Sequence, residues 1–219
     1  MRKFILHGAS ALLFGSMVMA GSSVDALAAS TIAQLQDRWA QINYQLKDDA
    51  QIEAFNELET QADQFVADNP SNPEGWIWRG IIKSTHAGAQ GGLGALKLAK
   101  AARSDLEKAI EIDPVAMNGS ALTSLGTLYF SVPGWPVGFG SDKKAKELLQ
   151  RGLEANPNGI DSNYFYAEYL RDKGKLEDAR AYYLKAKSAA PRPGRLSADQ
   201  GRQQEIQAAL VQLDSKLKK

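Results

Sequence analysis

From Thr31 onward the apolar positions recur at helical spacing. Ile32, Leu35, Trp39, Ile42 and Leu46 step by three and four, which places them on one helical face. Asp48-Asp49 permits a turn, and a second stripe runs through Ile52, Phe55, Leu58, Ala62, Phe65 and Val66 until Asn69-Pro70 stops it. Pro73 precedes a third stretch carrying Trp76, Trp78, Gly80 and Ile81, and Gly88-Ala-Gln-Gly-Gly-Leu-Gly94 after it predicts a flexible loop. A helix rich in Ala, Leu and Lys follows through Ala102, Leu106, Ala109 and Ile112 to Asp113-Pro114. Two more helix pairs occupy Gly119 to Pro191, and Ser197 to Lys219 closes with the stripe Ile206, Leu210, Leu213 and Leu217. Ser197 and Gln200 are spaced for a capping box at the start of that last helix. No segment alternates with period two, so the pattern predicts an all-α chain with no sheet.

The helix pairs share a spacing. Ala102 to Pro114, Ala145 to Pro157 and Ala179 to Pro191 are each twelve residues apart, and Leu58 to Pro70 repeats the interval. Ala167 lies twelve before Ala179, whereas Gly126 to Ala145 is nineteen and Gly80 to Ala102 is twenty-two. Two pairs therefore carry insertions of seven and ten residues at their internal turns. The physical logic is close approach: a small residue on each helix lets two backbones meet, larger apolar residues fill the flanks, and proline ends the second helix. A generic antiparallel bundle is the other architecture with this patterning.

Those residues carry a resemblance to the tetratricopeptide repeat. Its small position on the first helix matches Gly80, Gly126 and Ala167, its alanine on the second matches Ala102, Ala145 and Ala179, and its later small position matches Ala109, Gly152 and Ala186. Its proline matches Pro114, Pro157 and Pro191. The expected fold is a helix-pair solenoid with long intra-pair loops and capping helices at both ends. Its parts are a degenerate pair at about 31–70, repeats at about 73–114, 119–157 and 160–191, and a C-terminal cap at 197–217. A narrower resemblance lies in Val132-Pro-Gly-Trp-Pro-Val-Gly-Phe-Gly140, the run from Pro157 to Tyr169, and Ala190-Pro-Arg-Pro-Gly194. Together these are similar to the T-component family of tripartite ATP-independent periplasmic (TRAP) transporters. That resemblance implies a periplasmic repeat protein that assists a transporter's solute-binding subunit.

Composition adjusts this picture at the N-terminus. Arg2 and Lys3, an apolar run from Ala11 to Ala20 and Ala26-Leu27-Ala28 make residues 1–28 a cleaved secretory signal, leaving one domain at 29–219. The run is short for a membrane span, although an uncleaved anchor is the alternative. Removing that segment leaves 24 of 26 basic and 24 of 25 acidic residues, a balance that gives no reason to expect nucleic acid as partner. Cysteine is absent, so packing alone must stabilise an exported chain, and no lipid-anchoring cysteine is available.

Catalytic inventory is thin. His7 falls in the signal, leaving His86 at a helix end, where a solvated or carbonyl-bonded imidazole is expected rather than a triad member. One histidine and no cysteine supply no zinc cluster, the glycine-rich stretch lacks the Gly-Lys-Ser/Thr ending of a phosphate loop, and no cofactor is expected.

The Ser131–Gly140 insertion holds two prolines, three glycines, Trp135 and Phe139. Both rings either fold back to plug the interhelical groove or wall a ligand or partner cleft. Both insertions leave the same end of their pairs, which predicts two loops side by side on one edge. Trp76, Trp78, Tyr164, Phe165 and Tyr166 lie on the first helices of pairs, expected to line the concave face. The candidate contacts are thus Trp76, Trp135, Phe139, Tyr164 and Tyr166. The expected role is that of a non-enzymatic periplasmic adaptor. It would engage a solute-binding subunit, another envelope protein or an apolar small ligand, and a homo-oligomer is open. The alternative is an envelope-assembly scaffold with no transporter.

Overall fold

The structure, a computed structural model, describes residues 31–217, so the signal assigned to residues 1–28 lies outside the described residues. Among those residues every regular element is helical: α1 (Ile32–Gln45), α2 (Asp48–Asp68), α3 (Pro73–Gln90), α4 (Gly92–Ile112), α5 (Ala116–Ser131), α6 (Asp142–Ala155), α7 (Ile160–Asp172), α8 (Leu176–Lys187) and α9 (Leu196–Leu217). Each of the first four pairs packs as an antiparallel hairpin, and successive hairpins stack.

Close approach sets the hairpin geometry. A Cβ at Gly80 would lie 2.7 Å from the Leu106 side chain and 3.3 Å from the Ala102 carbonyl. One at Gly126 would meet Leu149 at 2.8 Å and the Ala145 carbonyl at 3.2 Å. Ala167 and Ala179 are fully buried in the third such contact. Gly152 makes the later contact, where a Cβ would collide with the Thr123 hydroxyl. The tetratricopeptide-like register read from the spacing is the register observed.

Three features differ from the expectation. The Gly88–Gly94 stretch is not a loop: α3 runs to Gln90 and α4 starts at Gly92, with Gly91 alone between them at φ 61°. The extra residues lengthen both helices, to 18 and 21 residues against 13 and 12 in α7 and α8. The lengthened α3 stays buried as far as Ala87 because α2, also 21 residues, lies along it, with Phe55 stacked on His86 at 5.6 Å. Second, the capping box lies at the other end of the chain. Gln34 N–H donates to the Thr31 hydroxyl (3.2 Å) and Thr31 N–H to the Gln34 side-chain carbonyl (2.7 Å), whereas Ser197 sits inside α9, which begins at Leu196. Third, the start of α5 contains one left-handed turn. Met117, Asn118 and Gly119 have φ of 49°, 55° and 73°, a conformation that costs a non-glycine residue about 1–2 kcal/mol.

The inner helices α1, α3, α5 and α7 contact one another in order, α7 contacts α9, and α9 returns against α1. The stack therefore closes on itself instead of ending in an open cap. Helix α9 lies so near α1 that a Cβ at Gly201 would fall 2.5 Å from the Tyr44 ring.

Packing at Gly126 makes Gly126→Leu destabilising by about 1–3 kcal/mol in urea unfolding. Gly88 gives the control: it is a helical glycine, and a Cβ added there would have no atom within 4 Å. Gly88→Ala stabilises by about 0.5–1 kcal/mol through helix propensity alone. Equal effects from the two would refute the close-contact register.

Candidate functional site

The segment from Val132 to Ser141 is a structured loop with a fixed neck. Gly140 N–H donates to the Pro133 carbonyl (2.9 Å), Ser141 N–H to the Tyr129 carbonyl (2.9 Å), and Gly138 N–H to the Gly134 carbonyl (3.0 Å). The Trp135–Pro136 bond is cis. Phe139 folds back, edge-on to Tyr129 at 5.5 Å, with the Arg103 guanidinium 4.8 Å above its ring. Trp135 does the opposite, standing 89% exposed with Val137 beside it at 65%. The two aromatics that the sequence groups together are thus separated: Phe139 is an anchor and Trp135 a tip. Beside the anchor lies a cleft of about 400 Å³ between α4, α5 and α6, with Ile110, Leu125 and Leu148 in its floor and Glu107, Tyr129 and Lys144 at its rim. The loop meets α4 at Arg103, about 18 Å along the helix from Gly91 at 1.5 Å per residue. The α3–α4 turn therefore projects beyond the loop's anchor rather than lying level with it.

The other three candidate rings have different surroundings. Trp76 braces the α2–α3 turn: its indole N–H donates to the Pro70 carbonyl at 2.8 Å and Arg79 stacks on its face at 4.6 Å. Tyr166 is buried, edge-on to Tyr182 at 4.8 Å. Tyr164 is half-buried between Phe165 (5.2 Å) and Tyr183 (5.9 Å), with the Arg202 guanidinium 4.3 Å over its ring. The structure brings Tyr164 together with α9 and leaves Trp135 on a separate surface.

Helix α9 and the segment before it fill the face that the first helices were expected to open. Arg195 stacks on Trp78 at 4.8 Å, and Arg202 covers both Tyr164 and Phe165. Asp161 at the start of α7 binds two arginines, accepting from Arg192 at 2.6 Å and from Arg202 at 2.8 Å. Asp199 holds Arg192 from the other side at 2.7 Å, and Glu205 takes Arg202 at 2.5 Å. Burial would raise the Asp161 pKa, but Arg202 and Arg192 outweigh it and lower the carboxyl to about 2. Arg202 moves upward: burial disfavours its charge and Asp161 more than restores it. The Tyr44 phenol beside them is pushed up to about 12, chiefly by burial. The sequence reading singles out none of Asp161, Arg192, Arg195 or Arg202. One signal is present: Asp199 and Arg202 precede Ile206, Leu210 and Leu213 on one helical stripe, so charged residues occupy positions that the pattern assigns to core.

His86 also differs from expectation. It is 2% exposed, with Nδ1 2.5 Å from a Glu59 carboxylate oxygen and its ring on Phe55. It ties α3 to α2 and is not solvated or bonded to a carbonyl.

The Asp161 cluster predicts acid sensitivity. A carboxyl held at about 2 stabilises the fold fully above its unfolded value of about 4, and that stabilisation is lost as pH falls from about 4 to about 2. Asp161→Asn should flatten this part of a stability-against-pH curve and cost on the order of 2 kcal/mol at pH 7, since it removes charged hydrogen bonds to two arginines. An unchanged acid limb would count against the cluster.

One family model among the comparisons with known proteins agrees with this architecture. The tetratricopeptide repeat family model matches residues 160–193, which span α7, α8 and the turn after them. No curated protein matches in sequence. Among solved structures, the chain is similar to one titled as the MamA protein at 17% identity, covering 84% of this chain and 92% of that one with a TM-score of 0.44. It is also similar to PilF of Pseudomonas aeruginosa at 14% identity, covering 85% and 92% with a TM-score of 0.36. Residues 160–193 match the repeat and the preceding hairpins reproduce its helix contacts, so the chain is a tetratricopeptide-like helical-repeat protein.

Proposed function

We propose that the protein is a protein-interaction adaptor whose contact residue is Trp135. The observation that carries this reading is an indole left 89% exposed at the tip of a loop whose neck is hydrogen-bonded and pinned by Phe139. Exposing so large an apolar ring to water is unfavourable, and a fixed backbone lowers the entropy lost when a partner covers it. Tryptophan is also among the residues that most often dominate interface energy. The inner face, occupied by Arg195, Arg202 and α9, is less suited to receive a partner. The setting we propose is the periplasm, on the strength of the N-terminal signal pattern. The partner we propose is the solute-binding subunit of a TRAP-type transporter, on the resemblance of the 132–140, 157–169 and 190–194 segments to the T-component family.

Trp135→Ala should lose capture of a purified TRAP solute-binding subunit in a pull-down while retaining helical circular dichroism and melting temperature. Phe139→Ala should instead lower the melting temperature, because it removes the ring packed on Tyr129 and Arg103. Retained capture by the Trp135 variant would overturn the assignment of the loop as the contact.

A further inference from the structure

We infer that the loop edge docks an acidic surface of a protein partner, with Trp135 entering an apolar socket on that surface. This rests on the adaptor reading above and specifies the partner's chemistry. Charge on the described chain is segregated. Helix α2 carries seven acidic residues from Asp48 to Asp68 and no lysine or arginine. Between Gly92 and Ser104 the reverse holds: Lys97, Lys100 and Arg103 occur with no acid. These three are spaced by three, so they follow one face of α4, about 9 Å from first to last.

That face meets the loop. Tyr129 at the end of α5 reaches Glu107 of α4 (3.3 Å), and the chain continues past α5 to place Phe139 against Arg103. Past Glu107 and Arg103 the direction of the chain is toward the earlier turns of α4, on which Lys100 and Lys97 lie three and six residues before Arg103. From the loop's far side α6 adds Lys143, Lys144 and Lys146, and the ammonium of Lys144 lies 5.1 Å over the Tyr129 ring. Lys97, Lys100, Lys143 and Lys146 are exposed and have no carboxylate partner among the described residues. The acids nearby are mostly engaged: Asp142 and Asp172 by Lys173 (2.6 and 3.0 Å), and Glu107 by Arg103 (3.5 Å). Glu147 is exposed and unpaired among the described residues. The exposed tryptophan and valine thus belong to a loop held between two helices, α4 and α6, that carry free lysines, a pattern that draws a negative surface in and then fixes its register.

An anionic bilayer would offer the same sign of charge. It fits less well, because Glu147 stands exposed and unpaired among the α6 lysines and a uniformly negative plane would repel it. An acidic protein surface can place its carboxylates opposite the lysines and leave a gap at Glu147.

The test uses the 29–219 chain and three defined probes: a fluorescent helical peptide of glutamate and leucine, its lysine counterpart, and vesicles containing about 30 mol% phosphatidylglycerol. Fluorescence anisotropy should show binding of the glutamate peptide, weakened about tenfold or more between about 50 and about 300 mM salt. Lys97→Glu with Lys100→Glu should weaken it by a similar factor with unchanged circular dichroism, and Trp135→Ala should abolish it. No binding of the glutamate peptide, or equal binding of the lysine peptide, overturns the inference. Loss in the Trp135 variant without loss in the lysine variants overturns the charge assignment and leaves the adaptor reading standing. No loss in either removes both. Vesicle binding that depends on the same lysines, or salt-sensitive self-association in sedimentation that Glu53→Lys on α2 abolishes, would replace the protein partner with a membrane or a second copy.

Discussion

Backbone proximity within each hairpin is the constraint on which the rest depends. At Gly80 and Gly126 the facing helix comes close enough that one added methyl would reach a carbonyl or a leucine branch, and Ala167 is fully buried at the matching position. Fixing the crossing there fixes the orientation of both helices, and so determines which flanking side chains meet: Leu106 and Leu149 over the glycines, with Tyr183 fully buried at the corresponding position of α8. It also explains where additional chain could be accommodated. Residues added at the turn lie beyond the crossing and leave it undisturbed, whether they lengthen helices, as in α3 and α4, or form a loop, as between α5 and α6.

The second organising interaction is electrostatic. An open stack of hairpins has stability that is close to a sum over nearest neighbours. Here Asp161 ties α7 to both the segment before α9 and α9 itself, and α9 packs on α1, so the first and last elements are coupled. Loss of any one contact in the ring is felt by the others, and unfolding becomes more cooperative than a linear array would allow. These part-buried pairs gain little from charge attraction alone, since desolvation offsets some of it. Their value lies in orientation: Arg202 must sit between Asp161, Glu205 and two rings, which leaves α9 one register against its neighbours.

The helices, their pairing and the small-residue contacts are legible in the sequence because each depends on residues no more than twenty-two positions apart. The turn at Gly91 departs from its local pattern for a physical reason. Glycines at 88, 91, 92 and 94 signal flexibility locally, but the long helix α2 offers α3 a surface to extend along, and tertiary burial outweighs propensity. Ring closure is not legible, since it joins residues more than 150 positions apart through Tyr44 and Gly201. In the loop, the sequence shows two aromatics that water disfavours. It does not show that Arg103, from another hairpin, is placed to cover Phe139 and leave Trp135 uncovered.

The loop's construction separates what it must preserve from what it can change. A Cβ at Gly138 or Gly140 would collide with the Pro133 or Val132 carbonyl, so the neck admits almost no variation. At Gly134 the nearest atom is 3.6 Å away, and Trp135 and Val137 point to solvent. Side chains at positions 134–137 can therefore be exchanged without disturbing the neck, which makes this tip a ready graft site for an engineered recognition sequence.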